Sequence, residues 1–425
     1  MTVANIKRNP VCDREPTPAL SRRAFLSALA ATGVLVLAAS CRPGTPVPTP
    51  TPTRTPRPLA TPLATPLATP TATSASLPTA TSTTATATGS PALATTPMPT
   101  LPPTATPTPT ATPFPPGPPT RLGLFISRND PRIFDLLRTG NVALVKTLEY
   151  DPNFAAEIKR TSPHTLLIGR IDLPQIDLAG LHDPTGAARA FADKLLPIAT
   201  EARRLAAFDG WEAYNEPVPA DVEQMGRLAA FEAERVRLLA AAGVRSVIGN
   251  FGTGHPPLEF WPYFRPALEA AIEHKGYLGL HEYSAPTMQF GTSQDPLGWG
   301  SDPEGGWLTL RYRKVYRGYL EPNGLVLPLL LTEVGVDGLV GNRPGPAGMG
   351  WRDFAAYWDQ LGMGTDAPGN YVEQLAWYDA QLQQDDYVRG AAIFAAAASP
   401  GWESYEVLDR VLPFLKQYIS VHPLR

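Results

Sequence analysis

The chain has 425 residues, of which 49 are proline, and its 36 Lys and Arg nearly balance 39 Asp and Glu, for a formal charge of −3. More than half of the prolines precede Arg121, a density that globular domains do not carry, so the length does not signify two or three folded domains. No basic face is available to hold a polyanion, which excludes nucleic acid as a partner and suits a neutral substrate.

Lys7 and Arg8 begin a basic, polar stretch. It continues into Ser21-Arg22-Arg23-Ala24-Phe25-Leu26 and an apolar run over residues 24–39. That run is too short and too rich in alanine for a membrane span, and it ends in Leu37-Ala38-Ala39-Ser40-Cys41. The paired arginines resemble the twin-arginine export motif. The small residues before Cys41 resemble a bacterial lipobox, although Ala38 stands where leucine is commonest. The resemblance implies that residues 1–41 are a lipoprotein signal peptide. Cys41 would be acylated, and the protein would sit on the outer face of the cytoplasmic membrane by a lipid anchor. A plain signal peptide and a retained anchor helix are the alternatives. Cys12 and Cys41 are the only cysteines, so the exported domain would rely on packing rather than on disulfides.

Residues 42–119 are mostly Pro, Thr, Ala and Ser, with Leu-Ala-Thr-Pro recurring between Pro58 and Pro70. Proline fixes φ and removes a donor, and the stretch has too few large apolar residues to offset chain entropy. It reads as a disordered, semi-extended polyproline-II tether, open to glycosylation on its threonines. The part able to fold is residues 120–425, near the size of a single α/β barrel.

From Arg121 onward short apolar runs alternate with longer amphipathic segments. The strand candidates are residues 122–127, 143–148, 165–171, 210–215, 245–250, 277–283, 328–333 and 390–396. The helical stretches include 186–207, 221–242, 257–274, 308–320, 369–384 and 405–419. Largely apolar strands are those covered on both faces. Eight strand-then-helix units make an α/β chain with a (β/α)8, or TIM, barrel. An open doubly wound sheet would show a glycine-rich turn after its first strand. That turn here reads Ser127-Arg128-Asn129-Asp130-Pro131.

Chemistry on such a barrel sits at the C-terminal ends of strands. Two glutamates stand there. One is in Trp211-Glu212-Ala213-Tyr214-Asn215-Glu216-Pro217, ending strand four, and the other in Leu331-Thr332-Glu333-Val334-Gly335, ending strand seven. Asn-Glu-Pro on the fourth strand with a glutamate on the seventh resembles the 4/7 superfamily (clan A) of retaining glycoside hydrolases. That clan includes cellulases, mannanases, xylanases, β-xylosidases and β-galactosidases. The resemblance implies a carbohydrate substrate, Glu216 as acid/base, Glu333 as nucleophile and Asn215 binding the sugar 2-hydroxyl. It further implies His281 and Tyr283 as the polar pair near the nucleophile, and a tryptophan after strand eight flooring the cleaved sugar, for which Trp402 is the candidate.

The chemistry agrees, because glycoside cleavage needs one protonated and one ionised carboxyl about the bond, and retaining enzymes hold them about 5–5.5 Å apart. With period two, Gly279, His281 and Tyr283 share one face, and Leu329, Leu331 and Glu333 share another. Tyr283 is then placed to donate to Glu333, and Glu282 points to the helices or out on a loop. Glu212 points inward, deeper than Glu216, and reads as a structural ion pair with Arg170. Arg128, Lys146 and Arg170 are inward candidates, either for substrate hydroxyls or for buried ion pairs. Trp299, Trp307 and Trp351 follow strands six and seven and read as loop cores.

No zinc-protease, nucleophile-elbow, phosphate-loop or dinucleotide motif is present, and the six histidines lack ligand spacing, so neither metal nor cofactor is expected. The reading is a retaining β-glycosidase. Its rivals are a catalytically silent barrel that binds envelope polysaccharide and a transglycosidase using the same glutamates.

Overall fold

The computed structural model describes residues 113–303 and 305–424. The signal segment, Cys41 and the tether as far as residue 112 lie outside the described residues. Eight strands form one parallel sheet: β1 (Leu122–Ile126), β2 (Leu144–Thr147), β3 (Leu166–Gly169), β4 (Gly210–Trp211), β5 (Val247–Phe251), β6 (Tyr277–Ser284), β7 (Leu329–Val336) and β8 (Val388–Ala396). Their order is β4-β3-β2-β1-β8-β7-β6-β5. A parallel bridge between Trp211 and Ser246 links the two ends, with the Trp211 N–H donating to the Arg245 carbonyl at 3.0 Å. The sheet therefore curls into a (β/α)8 barrel.

The surrounding helices are α1 (Ile133–Leu137), α2 (Pro152–Thr161), α3 (Pro184–Ala199), α4 (Ala202–Ala207), α5 (Val222–Ala241), α6 (Arg265–Glu273), α7 (Tyr312–Val315), α8 (Ala355–Gln360), α9 (Ala367–Leu382) and α10 (Leu412–Ser420). Aspartates start four of them. Asp151, Asp183, Asp221 and Asp366 each accept backbone N–H groups of the first turn, and proline opens α2 and α3.

Four helical stretches differ from the sequence expectation, and one of them, 257–274, divides into 3-10 turns over Leu258–Phe264 followed by α6. Residues 186–207 split where the Thr200 hydroxyl bonds back to the Leu196 carbonyl and Glu201 caps α4 by accepting from the Arg204 N–H. The stretch at 308–320 is shorter, with α7 running into a π turn over Tyr316–Leu320. The last helix begins at Leu412 rather than near 405. The Glu406 carboxylate accepts from the Ala397, Ala398 and Leu408 amides and ties the intervening chain to the end of β8. At the other end, packing begins before residue 120. The Phe114 ring meets Tyr418 edge-on at 5.2 Å, and its amide donates to Gln417 Oε1.

Inside the barrel Phe125, Leu144, Ile168, Val247, Leu330 and Ala392 form an apolar plug. Gly123 makes the plug possible, because a Cβ there would lie 1.9 Å from the Leu144 carbonyl oxygen. Strict alternation would put Glu333 on the face of Leu329 and Leu331. The strand departs from it. Those leucines pack outward against the helices while Leu330 points into the barrel. Register with both neighbours slips between Leu331 and Val334, so that Leu280 pairs with Leu331 but His281 with Glu333. The extra residue is a bulge, which re-aims the next side chain and turns Glu333 into the barrel.

β6 keeps its alternation. Tyr277 and Tyr283 face inward, while Leu278 and Leu280 pack outward. Glu282 points toward the helices, fully enclosed, and accepts from the Tyr312 and Leu310 amides (2.8 Å each) and the Tyr378 hydroxyl (2.7 Å). Burial raises this carboxyl from its ordinary 4.5 to about 7, and the three donors and Arg311 only partly offset that. Folded protein thus holds the Glu282 proton over a range in which the unfolded chain releases it. Glu282 contributes stability below about pH 4.5, and that contribution is lost as pH rises through about 7. Between those limits the wild type should lose melting temperature relative to Glu282→Gln as pH rises. Thermal denaturation of both across the range checks this, and a difference that stays constant with pH would mean that Glu282 is ionised throughout.

Candidate active site

The carboxyl-terminal mouth of the barrel gathers six polar side chains from five strand ends: Lys146 on β2, Arg170 after β3, Glu212 and Glu216 after β4, His281 on β6 and Glu333 on β7. All six are buried. Tyr283 on β6 stands beside them, likewise buried.

Glu333 is held at both oxygens. Oε1 accepts from Lys146 Nζ at 3.0 Å, and Arg170 Nη1 lies 3.4 Å away. Oε2 accepts from the Tyr283 hydroxyl at 2.8 Å, with His281 Nδ1 at 3.6 Å. Two cations and a hydroxyl aimed at one carboxyl group favour its ionised form.

Glu216 sits across the mouth, with Oε1 2.8 Å from His281 Nδ1. Its backbone has φ +40°, in the left-handed region, and proline follows. That conformation is uncommon for a residue with a side chain, and before proline the ordinary helical region is disfavoured too. Neighbours enforce it. The Glu216 N–H donates to the Asn250 carbonyl at 3.1 Å, and Gln175 Nε2 donates to the Glu216 carbonyl at 2.8 Å. Asn250 is itself left-handed, at φ +51°. Strained backbone of this kind persists only where surroundings over-determine it. Gly252 leaves room for the carboxyl group, since a Cβ there would stand 3.1 Å from the Glu216 carboxyl carbon. The Thr253 hydroxyl accepts from the Tyr283 amide at 2.8 Å and fixes the loop after β5 to β6.

One ligand-capable atom from each of Glu216, His281 and Glu333 lies within 4.8 Å of the other two. Such a trio is able to hold a cation, but Lys146 and Arg170 already bring positive charge to Glu333, which weakens the site for a metal ion. The same figure brings a carboxyl oxygen of each glutamate close enough to flank one reacting atom.

Below this level lies Glu212, fully enclosed. Lys146 Nζ is 3.1 Å and Arg170 Nη1 3.6 Å from its Oε2. Its closest cation is therefore Lys146, ahead of the Arg170 that the sequence suggested. Burial pushes the Glu212 carboxyl up; the charges of Lys146, Arg170 and His281 and the Thr332 hydroxyl outweigh it and leave a net lowering.

The structure gathers most of the residues singled out from sequence. Arg170 is engaged within the protein, donating to Asn215 Oδ1 by a short hydrogen bond, and this turns the NH2 side of the Asn215 amide away from the guanidinium. Trp402 packs against the inner cluster that holds Tyr283 and Phe394. Phe394, from β8, packs against Tyr283 (6.2 Å between centroids) and Phe125 (4.8 Å), and Trp402 meets Phe394 edge-on at 5.4 Å. Sequence reasoning missed Phe394 because it lies in an unbroken apolar run that reads only as core. It also missed Asn250 and Gly252, where the glycines of Gly249-Asn250-Phe251-Gly252-Thr253-Gly254 signal unusual backbone.

No protein-family model matches the sequence, and no curated protein does. Among solved structures, the chain is similar to a family 39 glycoside hydrolase from Bacteroides cellulosilyticus at 14% identity and TM-score 0.44, covering 71% of this chain and 64% of that one. It is similar to a family 128 (subgroup II) endo-β-1,3-glucanase from Pseudomonas viridiflava at 14% identity and TM-score 0.38, covering 72% and 98%. A β-D-glucuronidase from Dictyoglomus thermophilum matches at 13% identity and TM-score 0.41, covering 72% and 51%. The chain thus spans less than two thirds of the first and third of these proteins. At such identities and scores the likeness carries no assignment of activity.

Proposed function

We propose that the chain is a glycoside hydrolase that cleaves a β-linked oligo- or polysaccharide by a retaining double displacement. The observation that carries this reading is the approach of Glu216 and Glu333, one oxygen of each within 4.8 Å of the other. Retaining enzymes hold their carboxyl groups about 5–5.5 Å apart so that one of them reaches the anomeric carbon, and a close approach of two carboxyl groups suits that mechanism.

The environments of the two glutamates support distinct roles. Glu333, against Lys146, Arg170 and Tyr283, is the ionised nucleophile, and it attacks the anomeric carbon. Glu216, paired with His281, carries the proton that passes to the leaving oxygen. In the second step Glu216 takes a proton from water, whose oxygen displaces Glu333 from the sugar. Asn215, its Oδ1 fixed by Arg170, offers its amide N–H to the 2-hydroxyl. Trp402 extends the aromatic surface outward from Phe394.

The same reading places the enzyme outside the cytoplasmic membrane, held by acylated Cys41, and rests on Ser21–Leu26 and Leu37–Cys41 in the sequence. Cys41→Ser should move the protein from the membrane fraction to the soluble one. Retention of that variant in membranes would overturn the lipid anchor.

Reducing-sugar release across β-glucans, mannans, xylans and galactans tests the activity. Glu333→Gln should abolish release with little change in melting temperature, and turnover surviving in that variant removes Glu333 as nucleophile. Glu216→Ala should cost about 10²–10⁴-fold on poor leaving groups and far less on activated aryl glycosides. An equal loss on both would argue against the acid role. Retention of a polymer without release, by the wild type, would identify a binding barrel instead.

A further inference from the structure

The proposed chemistry uses Glu216 and Glu333 but gives no task to the buried pair beneath them. Lys146 and Glu212 are both entirely enclosed, in a place where an apolar plug would be cheaper than ions. Lys146 does not simply pair with one carboxylate. Its Nζ stands 3.0 Å from Glu333 Oε1 and 3.1 Å from Glu212 Oε2, so one ammonium is divided between two anions from opposite sides of the barrel. Arg170 repeats the arrangement, 3.4 Å from Glu333 and 3.6 Å from Glu212. Only the Glu333 contacts have hydrogen-bond geometry; the Glu212 contacts act charge to charge.

We propose that Lys146 and Glu212 are positioning residues that set the charge balance at Glu333, with Glu212 drawing off part of the Lys146 and Arg170 charge so that Glu333 stays ionised yet basic enough to attack carbon. The inference rests on the reading of Glu333 as nucleophile. A carboxylate facing two undivided cations would be ionised but weakly basic, and a carboxylate with neither would be protonated at working pH. With Glu212 present, the floor holds two cations and two anions and is neutral. The state of Glu212 fits this role, since the charges around it outweigh its burial and keep it ionised. Tyr283 and His281 on β6 and Glu216 after β4 also face Glu333. Phe125 on β1 and Phe394 on β8 bring no charge, although Lys146 Nζ lies 4.5 Å over the Phe125 ring.

Charge balance makes a signed prediction that a merely structural ion pair does not. The acid limb of kcat/KM against pH reports ionisation of the nucleophile in free enzyme. Glu212→Gln keeps the shape and leaves the floor with one excess positive charge, so the acid limb should move down by about one pH unit, with kcat about tenfold lower and KM little changed. Lys146→Met should move the limb the opposite way. The double variant Lys146→Met/Glu212→Gln restores neutrality, and its limb should return toward that of the wild type. Limbs that stay in place in both single variants, or move in the same direction, would overturn the proposal.

Should Glu212→Gln fail to fold, Glu212→Asp lengthens the contact with Lys146 and should shift the limb in the same direction by less; an unmoved limb there counts against the proposal. The carboxyl carbon of Glu333, followed by NMR in labelled, substrate-free protein, gives the same comparison without turnover. A Glu333 titration that moves as stated in a protein with no activity on any glycoside supports the charge balance and fails the glycosidase reading. A titration that does not move in an active enzyme does the reverse.

Discussion

A single ammonium, Lys146 Nζ, lies within 3.1 Å of carboxylates from β4 and β7, enclosed at the centre of the barrel. A charge this deep cannot stand alone, because an unpaired buried ion costs several kcal/mol or more. Lys146 therefore requires Glu212 or Glu333, and each of those requires a cation in turn. Four strands, β2, β3, β4 and β7, have to meet at one depth for the set to close. That requirement fixes the mouth of the barrel more sharply than hydrophobic packing does, since apolar contacts tolerate sliding and ion contacts at about 3 Å do not. Below the charges the plug of Phe125, Leu144, Ile168 and Leu330 is ordinary core. On β2 and β3 the change from apolar floor to charged mouth takes two residues, from Leu144 to Lys146 and from Ile168 to Arg170, and on β7 the bulge makes it three, from Leu330 to Glu333.

The backbone carries a second set of devices, and they cluster at the same end. Glu216 and Asn250 are both left-handed, and β7 gains a residue between Leu331 and Val334. Each device turns a carboxylate or its support toward the centre. Neither is compatible with the regular alternation that the same strands follow at their starts, where Leu329 and Leu330 point to opposite sides. Regular strand at one end supplies stability, and irregular strand at the other supplies aim. This division of labour is general to the barrel.

It also explains what was legible in the sequence. Most of the eight strands show as largely apolar runs, because a strand covered on both faces favours apolar residues. The ends of strands four and seven were legible because Asn215-Glu216-Pro217 forms a short motif and Glu333 closes the run Leu329-Leu330-Leu331. The direction of Glu333 was not. Period two places it with Leu329 and Leu331, and only the register against both β6 and β8 reveals the bulge. The partner of Glu212 was equally hidden, because Arg170 and Lys146 are similar as sequence and differ only in reach. Phe394 was invisible among alanines, since nothing local separates an aromatic ring on the barrel axis from one in the core. The helix ends at Thr200 and Leu412 depend on side-chain bonds to distant or succeeding backbone, which hydrophobic periodicity does not encode.

His281 gives the two glutamates their difference. Its Nδ1 lies 2.8 Å from Glu216 and 3.6 Å from Glu333, so the imidazole and Glu216 form the close pair whichever of them holds the proton. Glu333 has no comparable use for that proton, because Lys146, Arg170 and Tyr283 already satisfy both of its oxygens as an anion. The mouth therefore gives the two carboxyl groups different surroundings: Glu333 lies above the shared cations on the β7 side, and Glu216 lies against the imidazole on the β4 side. Two carboxyl groups a few ångströms apart would otherwise repel each other and titrate as one coupled unit. Different surroundings for two groups held close together are what the proposed double displacement requires. Lys146 and His281 set those surroundings most directly, the one by its contact with Glu333 and the other by its contact with Glu216.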